Sequence, residues 1–124
     1  MPPARFSFPK SSRLLHRADY RRIYDEGQKF AGPLFAAFYR RSEAGGVARV
    51  GFTTPKALGP AVARNRIKRR LREAVRVQLP EVATGWEIVL NPRRAVLDAE
   101  FPRLEAEISR LFRLLRQPPA IDRG

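Results

Sequence analysis

Between Arg64 and Arg72 the chain reads Arg64-Asn65-Arg66-Ile67-Lys68-Arg69-Arg70-Leu71-Arg72, six cations in nine residues. The chemistry such a run can do is phosphate binding. A guanidinium matches a phosphate with two parallel hydrogen bonds, and an asparagine amide can bond a base edge or a sugar hydroxyl. The spacing of the apolar members says how the run is held. On a helix at about 100° per residue, Ile67, Leu71 and Ala74 share one face with Val75 at its edge, while Arg64, Asn65, Lys68, Arg69, Arg72 and Arg76 spread over the neighbouring ~140°. Arg66 and Arg70 fall beyond the apolar stripe. The helix can therefore bury one side and still offer a broad polycationic surface. In a neutral protein this would read as a solvated basic helix.

The rest of the chain leans the same way. Lys and Arg number 25 against 12 acids, a formal charge of +13. A compact domain with that charge repels itself until it meets a polyanion. Nucleic acid is the first candidate and an anionic membrane surface the second, although no apolar run approaches the ~20 residues that a spanning helix needs. The start of the chain, Met1-Pro2-Pro3-Ala4-Arg5, is followed by no apolar signal core, so a soluble, cytoplasmic protein is expected. Cysteine is absent and His16 is the single histidine, which excludes thiolate metal sites and a histidine-based zinc site. A protein nuclease working with two metals would want convergent carboxylates. The acids here are scattered over Asp19, Asp25, Glu26, Glu43, Glu73, Glu81, Glu87 and the Glu105/Glu107 pair, and those at the ends of helices read as solvated faces. No catalytic residue and no metal ligand is expected on this chain.

The elements that must position the basic run alternate in type. One domain of 124 residues is expected, with residues 1–12 a proline-rich flexible segment, 13–116 the RNA-binding body and 117–124 a flexible tail. A short helix over about 17–26 stops at Gly27. Aromatic-rich Leu34 to Tyr39 reads as a strand, Val47 to Thr54 as a second, and the Gly45-Gly46 pair predicts a hairpin between them. A further short strand is possible near Gln28 to Ala31. Pro55 to Pro60 reads as a loop, the basic helix runs from about 61 to 78, and Gly85 to Leu90 is a strand ended by Asn91-Pro92. Phe101, Leu104, Ile108, Leu111, Phe112 and Leu115 recur at helical spacing, predicting an amphipathic helix over about 99–116. The pattern is α+β, with a small sheet and helices against it.

Four blocks of this sequence resemble the protein subunit of bacterial ribonuclease P. Arg49-Val50-Gly51-Phe52-Thr53-Thr54-Pro55-Lys56 resembles its R-V-G-apolar-S/T strand and lysine loop. Ala61-Val62-Ala63-Arg64-Asn65-Arg66-Ile67-Lys68-Arg69 resembles the opening of its arginine helix. Ala18-Asp19-Tyr20-Arg21-Arg22-Ile23-Tyr24 with Gly27 resembles its first helix, and Trp86-Glu87-Ile88-Val89-Leu90 its last strand. The resemblance covers about residues 12 to 115. It departs at Ala57, where a second lysine is common, and at Leu90-Asn91-Pro92-Arg93, where the family has an apolar-Ala/Pro-Arg run.

The resemblance implies an α-β-β-β-α-β-α order with a small mixed sheet, ribosomal protein S5 domain 2-like, including a left-handed βαβ crossover that breaks a strong topological rule. It implies binding to ribonuclease P RNA and to the 5′ leader of precursor tRNA, with no membrane partner and with the chain a monomer in the ribonucleoprotein. The chain alone would bind no cofactor, Mg2+ being held in the RNA active site where cleavage occurs. RNA-binding roles are implied for Tyr20, Tyr24 and Phe38, as a cleft for the single-stranded leader, for Lys56 as a phosphate contact, and for Arg64, Asn65, Arg66, Lys68, Arg69 and Arg72. Phe52 and Trp86 are expected to pack. The alternatives are a basic ribosomal-type structural RNA-binding protein and a DNA-binding module using the basic helix in a major groove.

Overall fold

The computed structural model describes residues 17–42, 48–79 and 85–116. Its elements run α1 (Arg17–Glu26), β1 (Gln28–Ala31), β2 (Phe35–Arg41), β3 (Arg49–Phe52), α2 (Ala61–Gln78), β4 (Trp86–Pro92) and α3 (Phe101–Arg116). Short 3-10 turns at Lys56–Leu58 and Arg94–Leu97 precede α2 and α3. The expected flexible ends and the Gly45-Gly46 turn lie outside the described residues.

α1 ends where Gly27 donates its backbone N–H to Ile23 O. A Cβ on residue 27 would stand 2.5 Å from that oxygen and 2.6 Å from Tyr39 O, so the close approach of helix to strand requires glycine. The basic helix begins after Pro60, whose extended backbone and O···H–N bond from Arg64 open its first turn. Gly59, with φ 136°, supplies the preceding reversal in a region that side chains disfavour.

The four strands are ordered β1-β2-β4-β3. β1 and β2 form the antiparallel hairpin, β2 pairs antiparallel with β4, and β3 pairs parallel with β4. The expected hairpin of the second and third strands is therefore wrong: β4 is inserted between them. A glycine pair can close a tight turn, but β4 is the one fully apolar strand, Ile88-Val89-Leu90, and burial on both faces belongs at the centre of a sheet. The strand also continues through Asn91 and Pro92, which pair with Ala36 and Phe35 rather than ending it.

One sheet face carries the main core. Phe35, Ala37, Tyr39, Val50, Ile88 and Leu90 meet Ile67, Leu71, Ala74 and Val75 of α2 and Leu104, Ile108, Leu111 and Phe112 of α3, all buried. The buried side of α2 is thus the stripe that its helical spacing marks. Phe52 and Trp86 pack at the margin of this core, as expected. The opposite face is covered by α1 alone.

Candidate nucleic-acid interface

Period-2 alternation sorts the strands onto the α1 face. By register, Lys29, Phe38, Val89 and Gly51 form one row across all four strands. Ile23 of α1 lies on Val89, both fully buried, with Tyr20 and Phe38 packed on the pair. The two tyrosines then diverge. Tyr20 lies half-buried over β3, so close that a Cβ on Gly51 would stand 2.4 Å from its hydroxyl oxygen. Tyr24 is 38% exposed, its ring edge-on to Phe38 at 4.9 Å and 79°.

The next row opens a groove of about 530 Å³ lined by Tyr24, Thr53, Thr54, Pro55, Asn91 and Pro92. Tyr24 Oη donates to Asn91 Oδ1 at 3.0 Å, and Thr53 Oγ1 donates to the same oxygen at 2.8 Å. Burial pushes the Tyr24 hydroxyl above its ordinary value of 10.0, against the opposing effect of these side-chain bonds. Burial raises Tyr20 likewise, helped by the neighbouring Tyr24 and Asp19. Both phenols are therefore neutral donors at physiological pH, and the groove is an uncharged aromatic and amide surface. A flat ring beside hydroxyl and amide groups suits an unpaired base and its ribose.

On the other side of the row, charges are paired and drawn inward. Glu87, 3% exposed, accepts from Arg40 at 3.1 Å and from Arg49 at 2.6 Å. Arg49 also faces Asp19 at 3.7 Å, Asp19 pairs with Arg22 at 2.6 Å, and Arg40 reaches Glu26 at 3.2 Å. This network clamps α1 to the sheet and fixes the tyrosines it carries. Glu107, read in the sequence as part of a solvated face, is buried; its Oε2 accepts the backbone N–H groups of Leu34 at 2.9 Å and Phe35 at 3.1 Å. The acid lies on the inner side of α3, where the β1–β2 turn has two donors to satisfy. Among the described residues no group of three or more His, Asp or Glu side chains is placed to hold a metal ion. No helix among them is long and apolar enough to cross a membrane.

The cations of α2 lie beyond the opposite face of the sheet. Asn65, Arg66 and Arg69 are exposed, and Arg64, Lys68, Arg70 and Arg72 lie at the edges of the buried stripe. Arg64 Nε donates to Gly59 O at 3.1 Å, bracing the helix start. Arg70 is turned away from solvent, donating to Ala99 O with its guanidinium 5.9 Å over Phe101. No ion pair among the described residues engages Arg66, Lys68 or Arg69. Lys56 is exposed in the turn that follows the groove-lining Pro55 and precedes α2. Tyr20, Tyr24 and Phe38 are thus gathered in one layer, the α2 residues in another, and the segment from Thr53 to Gly59 connects them. Sequence reasoning missed Thr53 and Asn91. The signal was present: continuing the alternation of Glu87 and Val89 puts Asn91 on the same face.

A family model for Ribonuclease P matches residues 8–116. The ribonuclease P protein component of Symbiobacterium thermophilum is 42% identical over 103 residues, covering 83% of this chain and 90% of that protein. That of Roseiflexus sp. strain RS-1 is 40% identical over 119 residues, covering 93% and 94%. Among solved structures, a Staphylococcus aureus RNase P protein mutant with defective mRNA degradation activity superposes with a TM-score of 0.76 at 28% identity, over 85% of this chain and 88% of that one. The RNase P protein from Thermotoga maritima gives a TM-score of 0.69 at 26% identity, over 86% and 97%.

Proposed function

The chain belongs to the family of bacterial ribonuclease P protein components, and from that premise we propose that it holds the 5′ leader of precursor tRNA in the Tyr24–Asn91 groove while α2 grips the phosphates of ribonuclease P RNA. As a member of that family it is a component of a ribonuclease holoenzyme. In this reading its part is affinity, and the RNA subunit does the cleaving. The observation that supports it is the coexistence, on one small domain, of an open uncharged aromatic groove and a helix whose exposed cations meet no acid. Tyr24 and Phe38 offer stacking faces for unpaired bases, Thr53 and Asn91 add polar contacts, and Lys56 stands where the strand would leave the groove. Asn65, Arg66, Lys68 and Arg69, with Arg64 and Arg72 at the margin, take phosphates and sugar hydroxyls.

The described acids do not fit a protein-held Mg2+: Asp19 and Glu87 are committed to arginines and Glu107 to backbone N–H groups. Magnesium in this reading supplies its chemistry from the RNA, and the chain's cations lower the repulsion between RNA and substrate. The protein acts in the cytoplasm as a monomer within the ribonucleoprotein. Reconstitution with a bacterial ribonuclease P RNA tests this. The isolated chain is expected to cleave nothing, and its addition to the RNA to lower the magnesium or salt needed for precursor cleavage. Robust cleavage by highly purified protein without RNA would overturn the assignment, and an unchanged magnesium requirement would favour a purely structural RNA-binding role.

A further inference from the structure

A second cationic surface lies on α3, away from the groove and distinct from the exposed face of α2. The helix turns Leu104, Ile108, Leu111 and Phe112 inward and leaves Arg103, Ala106, Arg110 and Arg113 exposed, with no acid on the exposed stripe. The three arginines span ~15 Å along the helix at its rise per residue. Two contacts tie this row to the β1–β2 turn. The Arg110 guanidinium sits 5.7 Å over the Phe30 ring, and exposed Arg93 donates Nε to Gly32 O at 3.0 Å. Glu107, the acid nearest this turn, faces inward onto Leu34 and Phe35 N–H. None of Arg93, Arg103, Arg110 or Arg113 has an ion pair among the described residues.

We propose that this patch is a second RNA-binding surface, which takes the phosphate backbone of a duplex segment of the RNA partner. The inference rests on RNA being that partner and adds a face to it. What favours a duplex over a single strand is the absence of an open ring. Phe30 is covered by Arg110 and tilted against Phe35 at 5.8 Å, so it offers no face to an unpaired base, unlike Tyr24 and Phe38 in the groove. What remains is a row of guanidinium forks, a backbone-reading device without base contacts. The two cationic helices would then engage separate RNA segments and fix their relative position.

The test uses the full chain carrying Arg103→Gln, Arg110→Gln and Arg113→Gln together, beside a Lys68→Ala/Arg69→Ala variant of α2. Binding to ribonuclease P RNA and to a single-stranded leader oligonucleotide is followed over a salt series. The triple variant is expected to flatten the slope of log affinity against log salt for the structured RNA by about 2 to 3, while leaving oligonucleotide binding within about twofold. Its melting temperature should not fall, because the replaced groups are exposed. Ala106→Glu, which removes no arginine contact, should weaken structured-RNA binding in the same direction. An unchanged slope in the triple variant while the α2 variant loses affinity overturns the second surface and leaves the main reading standing. Equal loss on both RNAs, or loss that tracks a lowered melting temperature, also overturns it. If neither variant changes binding to ribonuclease P RNA, the reading of α2 falls as well.

Discussion

The two faces of the sheet are built on opposite terms. Against one, α2 and α3 close a continuous apolar core in which Ile67, Leu71, Ile88, Leu90, Leu104, Ile108, Leu111 and Phe112 are fully buried. Against the other, α1 contributes a buried apolar pair, Ile23 on Val89, and is otherwise held by arginine–carboxylate bonds. The first face has the close packing that fixes a fold. The second leaves Tyr24 and part of Phe38 uncovered, which a fully packed layer could not do. Stability and recognition are thus divided between the faces, and changes on each should fail in different assays.

The largest expected effect is on the packed face. Leu71→Asp or Ile67→Asp places an unpaired carboxylate among side chains with no polar partner and should cost several kcal/mol, of the order of the whole stability of a domain this size. Thermal or urea melts should show loss of cooperative unfolding. A well-folded Leu71→Asp protein would mean that α2 is not anchored by its apolar stripe.

Next in size is the clamp on the other face. Glu87→Gln keeps the shape but leaves Arg40 and Arg49 without their shared anion. Breaking a fully buried pair costs about 3–5 kcal/mol, and because both arginines are partly exposed a loss of about 1–3 kcal/mol is expected. The loss should be local: hydrogen exchange should accelerate in α1 before α2 or α3. Uniform acceleration would show that the two faces unfold as one and would break the comparison.

This division was only partly legible in the sequence. The helical spacing of Ile67, Leu71, Ala74 and Val75 gave α2 its limits and its buried side, because a 3.6-residue period in an 18-residue helix is a strong local signal. The resemblance carried by the four blocks gave the family. Strand order was not available locally. Gly45-Gly46 suggested a hairpin between neighbours in sequence, whereas β2 and β3 both pair with β4, a choice made by the burial of Ile88-Val89-Leu90. The groove was half visible. Tyr20, Tyr24 and Phe38 were picked out by type, but which tyrosine stays open depends on Gly51 admitting the Tyr20 ring to β3, a contact between distant segments. Glu87 and Glu107 were read as ordinary acids for the same reason: their partners come from other elements.

The tyrosines sharpen the comparison further. Stacking on a single-stranded nucleic acid is worth ~1–3 kcal/mol per base by alanine substitution. Tyr24→Ala should weaken binding of precursor tRNA by about that amount, leave mature tRNA unaffected and move the melting temperature little. Tyr20→Ala should lower the melting temperature as well, since its ring fills the α1–β3 contact. Both hydroxyls have raised pKa values, so each favours the folded state fully below its unfolded value of 10.0 and loses that contribution only as pH rises above it. Leader binding should therefore show no step from these groups between pH 6 and 9. Identical profiles for the two alanine variants would mean that the structure's distinction between a packed and an open tyrosine has no bearing on binding.

The smallest expected effect separates charge from packing on α2. Lys68 lies beside the buried stripe, and its ammonium has no acid partner among the described residues. Removing one phosphate contact should flatten the salt dependence of log affinity by about 0.7 to 0.9 per site. Lys68→Ala should therefore bind ribonuclease P RNA more weakly at low salt, converge with the parent at high salt, and melt at the parent's temperature because Ile67 and Leu71 are untouched. Lys68→Arg should restore the slope, since the contact asks for a cation at that place and not for a particular side-chain shape. If Lys68→Ala instead melts early with its slope intact, the aliphatic stem of Lys68 belongs to the packed face and the boundary between stability and recognition on α2 lies one residue further out, at Arg69.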